Sequence, residues 1–133
     1  MPNDLLIVRH SPLPLETVCR QLTESAVRHQ FGVLATHNLR EKIEGKGLPF
    51  GRECRVIEVC NPRQAQLVLR EAISIATALP CRIAVYEEDG RTILATIKPT
   101  MLLTMFDSPS AAPVALEVEA TMIQIMEEAG RAG

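Results

Sequence analysis

The stretch CRVIEVCNPRQAQLVL, residues 54–69, changes its period partway through. Cys54 to Cys60 is rich in β-branched residues and reads as a strand. Beyond it the apolar positions Ala65, Val68, Leu69, Ala72, Ile75 and Ala76 recur at helical spacing, which predicts a helix reaching about Ala76. At the joint, Asn61 is a favourable N-cap, and Pro62 suits the first helical position, where its missing N–H costs nothing. Cys60 thus ends a strand and immediately precedes a helix. The question it poses is whether the thiol does chemistry or fills space.

Downstream, CRIAVYEEDGRTILATIK (residues 81–98) carries two β-rich runs around Asp89-Gly90, a strong hairpin signal. PTMLLTMF after it reads as a short helical turn or an edge segment. Residues 113–129 form a closing helix with Val118, Met122, Ile125, Met126 and Ala129 on one face, a stripe of core character. Upstream, Asp4–His10 reads as a strand stopped by SPLP. Leu15–His29 reads as a helix with Leu15, Val18, Cys19, Leu22 and Ala26 inward and His29 solvated on its polar side. Phe31–His37 is a further strand, after which Asn38 caps a short helix with Glu41 as its partner. EGKGLPFG is a surface loop whose glycines lack the strand-glycine-helix context of a phosphate cradle.

This order, β-α-β-α-β-α-β-β-α, predicts an α+β fold: a five-stranded mixed sheet with helices mainly on one face. At 133 residues the chain is read as a single domain, residues 1–133. The hairpin alternates Ile83 and Val85 against Arg82, Ala84 and Tyr86, and Ile93, Ala95 and Ile97 against Thr92, Leu94 and Thr96. Its second face is therefore semi-apolar, the character of a surface that meets a ligand or a partner. Pairing with a second copy is the simplest way to cover it.

Composition narrows the functions. Hydrophobic residues make up 47% of the chain but aromatics only 3%, so aliphatic side chains and alanine fill the interior. Net charge is −2, without a basic stripe, which argues against nucleic acid as a partner. No apolar run approaches bilayer length, and the opening MPNDLLIVRHSP lacks the basic start and long apolar stretch of a signal peptide. A cytoplasmic location, with no membrane association, is the expectation. Reduced thiols follow, so the four cysteines do not imply disulfides. No CxxC pair is present, and no cofactor or metal is assigned. The linker-like stretch is DSPSAAP, residues 107–113.

The segments GVLATHNLREKIEGKGL, VIEVCNPRQAQLVL, LPCRIAVYEEDG and KPTMLL occur in the order found in a bacterial and archaeal family called domain of unknown function 302, which the chain resembles over about residues 5–106. The resemblance implies a compact α+β domain that forms homodimers, and carries no established activity. Cys60, Asn61, Pro62, Pro80 and Cys81 align with its shared marks; Cys19 and Cys54 match none.

Spacing limits what the cysteines can do. Cys54 and Cys60 lie six residues apart on one strand, on the order of 20 Å, and cannot bond to each other. Cys60 and Cys81 share a sheet edge if their strands are antiparallel neighbours. If the first two strands run parallel to the one ending at Cys60, His10 and His37 approach the same edge. Position before a helix favours a thiolate at Cys60, whereas Glu58, two residues earlier on the same face, repels one or accepts its proton.

Three readings follow. In the first, Cys60 and Cys81 are packing residues and the domain is a small-ligand or partner-binding module, with Asn61, Pro62 and His37 as ligand-contacting candidates. In the second, the protein handles redox or sulfur chemistry through Cys60, with Cys81 resolving and Glu58 assisting. In the third, Cys60, Cys81 and His10 or His37 hold a metal. The first is preferred. No GxSxG elbow or spaced carboxylate pair supports hydrolysis.

Overall fold

The computed structural model describes residues 4–132. The first three residues of the opening stretch lie outside them. The chain runs β1 (Leu6–Ser11), α1 (Leu15–Arg28), β2 (Gly32–Asn38), α2 (Leu39–Glu44), β3 (Cys54–Cys60) and α3 (Pro62–Glu71). A 3₁₀ turn (Ile73–Ala78), β4 (Cys81–Glu88), β5 (Arg91–Ile97), α4 (Pro99–Leu102), a second 3₁₀ turn (Leu103–Met105) and α5 (Ala111–Ala129) complete it. The fold is α+β, as the element order implies, built on a five-stranded sheet in the order β1-β5-β4-β3-β2.

Every neighbouring pair in that sheet is antiparallel. The expected mixed sheet is therefore corrected to an antiparallel one. The reason lies in the connection between β2 and β3, where α2 is a single short helix and the loop after it returns the chain to the end of β2, so that Arg55 of β3 pairs back with Asn38. The connection between β3 and β4 turns back as well. The helical period suggests one helix to about Ala76, but α3 ends at Glu71 and Ala72 adopts an extended backbone, φ −149° and ψ 98°. The 3₁₀ turn then brings the chain back to the end of the sheet it had left, so β4 starts beside the end of β3. Val68 and Ile75 are buried as expected, whereas Ala76 is exposed.

Helices α1, α3 and α5 cover one face. Val18 and Leu22 of α1, Ile57 and Val59 of β3, Ile83 and Val85 of β4, Leu94 of β5, and Met122, Ile125 and Met126 of α5 are fully buried between them. Burial of each such side chain stabilises the fold by roughly 1.5–3 kcal/mol. Both methionines are core. Cys19 sits at the margin of the α1 stripe, half-buried against that core.

Local signals set most boundaries. Asn38 Oδ1 accepts from Glu41 N at 3.0 Å and Asn61 Oδ1 from Gln64 N at 3.1 Å, so both asparagines cap their helices. Asp89 (φ 54°) and Gly90 (φ 76°) form the two-residue turn between β4 and β5 in the left-handed region that such hairpins require. Residues 99–105, ambiguous in sequence, are helical. The linker-like stretch ends inside α5, whose first residue, Ala111, is buried. His29 is not solvated: it lies half-buried after α1, its Nε2 3.2 Å from Glu128 Oε2. No helix among the described residues is long and apolar enough to cross a membrane.

Candidate functional site

The face of the sheet away from α1 and α5 carries a hollow, and the register explains it. One rung crosses all five strands through Val8, Ala95, Ala84, Val56 and His37. Alanine at its two central positions leaves the middle of the face low. Leu6 and Ile97 from the next rung, and Tyr86 on the other side, rise around it. Walls come from residues 77–82, which include the cis Leu79–Pro80 bond, and from Pro99, Leu102 and Leu103. The result is a mainly apolar cavity of about 480 Å³. Apolar hollows of some hundreds of Å³ with a few polar groups are the usual form of a small-molecule site.

A line of polar side chains borders this hollow. Glu58 and Arg82 are direct cross-strand partners, with Arg82 Nε 3.5 Å from Glu58 Oε2. His37 Nε2 lies 3.3 Å from the same oxygen, and Lys42 Nζ lies 3.1 Å from His37 Nδ1. An ammonium group has only protons to offer, so it donates to Nδ1, and the ring proton on Nε2 points to Glu58. Arg82 lines the cavity; His37 and Glu58 stand behind it.

Cys81 lines part of this hollow, whereas Cys60 stands apart from it. Antiparallel pairing of β3 with β4 puts Cys60 and Cys81 at the same end of the sheet, Cys81 opposite Val59. Beside them is a void of only about 20 Å³, lined by Phe31, Val59, Val68, Leu79 and Val118 among others. That is room for a single water at most. Burial raises the Cys60 pKa above the ordinary thiol value. Burial, and then the nearby Cys60 charge, push Cys81 up to about 11. The helix end that would favour a thiolate is already occupied, because Asn61 caps it. Glu58 is engaged with His37 and Arg82. Burial also raises Cys54, and it pushes Cys19 up to about 11 with help from Glu16. All four thiols are free.

The histidine convergence on Cys60 is overturned. β1 and β2 run opposite to β3, so His10 and His37 lie toward the far end of the sheet. His37 pairs with Val56, four residues from Cys60, or about 13 Å along the strand. Among the described residues no three His, Cys, Asp or Glu side chains gather as a metal site. Of the sequence candidates, the structure brings together Glu58 with His37, and Cys60 with Cys81 and Asn61, as two separate groups. The sequence reading did not single out Arg82, Ala84 and Ala95 as site residues. Counting outward from the Asp89-Gly90 turn pairs Ala84 with Ala95, and that signal would have located the hollow.

A family model described as "Domain of unknown function DUF302" matches residues 7–129, a span that takes in all of α5. The fold is similar to the crystal structure of an uncharacterized conserved DUF302 protein from Bacillus stearothermophilus. Identity is 31%, the alignment covers 96% of this chain and 99% of that one, and the TM-score is 0.90. No curated protein matches this chain.

Proposed function

The chain belongs to the DUF302 family, and we propose that it serves as a small-ligand-binding module whose site is the cavity on the open face of the sheet. The observation that carries this reading is the hollow over Ala84 and Ala95, large enough for a small organic molecule and lined chiefly by aliphatic side chains. Asn61 and Pro62 have a helix-starting role in it, and His37 borders the site.

Self-association belongs to the same proposal. Leu5, Ile97, Met101 and Met105 are exposed beside the cavity, Met105 by 73%. A second copy packed against that rim would take them out of water and narrow the cavity mouth. Four free thiols fit a reducing compartment, and the cytoplasm is the proposed location.

The competing reading, thiol chemistry at Cys60 with Cys81, gains from their shared sheet end. It loses more from burial, which opposes thiolate formation at both.

The test is a titration with N-phenyl-1-naphthylamine, an uncharged apolar fluorophore. Saturable binding by the wild type, lost in A84W with an unchanged circular dichroism spectrum, is the expected result. No binding, or binding that A84W leaves intact, would overturn the reading.

A further inference from the structure

The cavity holds one cationic group in a mainly aliphatic lining, and that group is only partly satisfied. Arg82 is 61% exposed in its side chain, and its one ionic partner among the described residues is Glu58. The contact is made through Nε, which leaves both Nη groups with their protons. An arginine whose terminal N–H pairs are unspent presents a planar fork matched to a carboxylate.

The charges nearby fix how much anion the site can take. Glu58 offsets one of the two cations, Arg82 and Lys42, and Lys42 faces the histidine rather than the cavity. With Nδ1 of His37 taken up by the Lys42 contact, that ring adds no formal charge, and Lys42, Glu58 and Arg82 together sum to one positive charge. A singly charged head is balanced by that surplus; a doubly charged phosphate is not. Apart from Thr77, Cys81, Tyr86 and Thr96, the remainder of the lining, Leu6, Val56, Ala84, Ala95, Ile97 and Leu102 among it, offers apolar contact for the body of the ligand.

Resting on the binding reading above, we infer that the cavity's ligand is an apolar monocarboxylate whose head is read by the Arg82 guanidinium. Arg82 is then the specificity-determining residue of the site. It separates an acid from an alcohol or an ester of the same hydrocarbon body.

The experiment displaces N-phenyl-1-naphthylamine from the wild-type protein with dodecanoate and, separately, with dodecan-1-ol. Dodecanoate is expected to displace the fluorophore about ten-fold more effectively, the scale of one charge-assisted contact at a partly exposed site. Read relative to each protein's own fluorophore affinity, that preference should vanish in R82Q, whose unchanged circular dichroism spectrum shows that the variant is folded. Equal displacement by acid and alcohol in the wild type, or a preference that survives R82Q, would overturn the headgroup inference and leave the cavity reading standing. Absence of fluorophore binding to the wild type would overturn both.

Discussion

The Ser25 hydroxyl on α1 donates to the Glu128 carboxylate of α5 at 2.6 Å, tying together two helices that share the core side of the sheet. His29 and Arg28 meet the same carboxylate. The Ser25 bond, followed by those from His29 and Arg28, outweighs burial and holds Glu128 down to about 2. A carboxylate depressed in the folded state adds stability that is present above its unfolded value near 4.5 and is lost as pH falls toward 2. Ser25→Ala should therefore lower the thermal midpoint at pH 7 and flatten the loss of stability between pH 4.5 and 2. Melting curves across that range check it.

Thiol reactivity follows from burial. Alkylation of the native protein from pH 6 to 10, followed by mass spectrometry, should find Cys60 and Cys81 slow, Cys81 with a midpoint well above the ordinary 9.0. Fast labelling of Cys60 at pH 7 would put thiol chemistry ahead of ligand binding.

Ile73 and Ile75 are two residues apart in one 3₁₀ turn, yet Ile73 is 75% exposed and Ile75 is fully buried. Ile75→Ala should cost about 2–5 kcal/mol in urea unfolding, through lost transfer energy and the cavity left behind. Ile73→Ala should stay within about 0.5 kcal/mol, as for other surface changes.

Asn61 separates a structural from a ligand-contacting role. Asn61→Ala removes the acceptor for Gln64 N and should cost about 1 kcal/mol. Asn61→Asp keeps the acceptor and should be close to neutral. Both should bind N-phenyl-1-naphthylamine like the wild type; weakened binding at unchanged stability would make Asn61 part of the site.

Gly90 has φ 76° and nothing within 4 Å of where a Cβ would stand, so the price of a side chain there is conformational alone. Gly90→Ala should destabilise the hairpin by about 1 kcal/mol, read from denaturant midpoints.

The elements that local chemistry specifies were legible in the sequence. β3 runs from Cys54 to Cys60 as its β-branched content indicates, and the Asn38 and Asn61 caps and the Asp89-Gly90 turn were readable residue by residue. What sequence could not supply was tertiary. The break at Ala72 interrupts a good helical pattern, and Glu71 just before it accepts from Ser110 N at 2.9 Å and from the Ser108 and Ser110 hydroxyls, anchoring the turn to the entry of α5. That partnership fixes the path into β4. The expected parallel strands and the histidine cluster fail instead between β2 and β3, where α2 and the loop after it turn the chain back so that Asn38 pairs with Arg55. The alternation of the hairpin indicated a semi-apolar second face but placed β5 the wrong way round: Leu94 pairs with Val85 in the core, and Ala95 shares the open face with Ala84. The hollow in it depends on alanines from two strands sharing a rung, which appears only once register is considered.

The strand order also dictates when this protein can fold. β1 is the first strand yet pairs with β5, Leu6 opposite Ile97, so it has no partner until the chain has been synthesised through Ile97. Closing so long a loop is entropically slow, and sheets of high contact order fold late for that reason. On the ribosome, β1 and α1 must wait as unpaired, apolar segments, which makes the interval before β5 emerges the window in which a nascent chain is most exposed to aggregation and to chaperone capture.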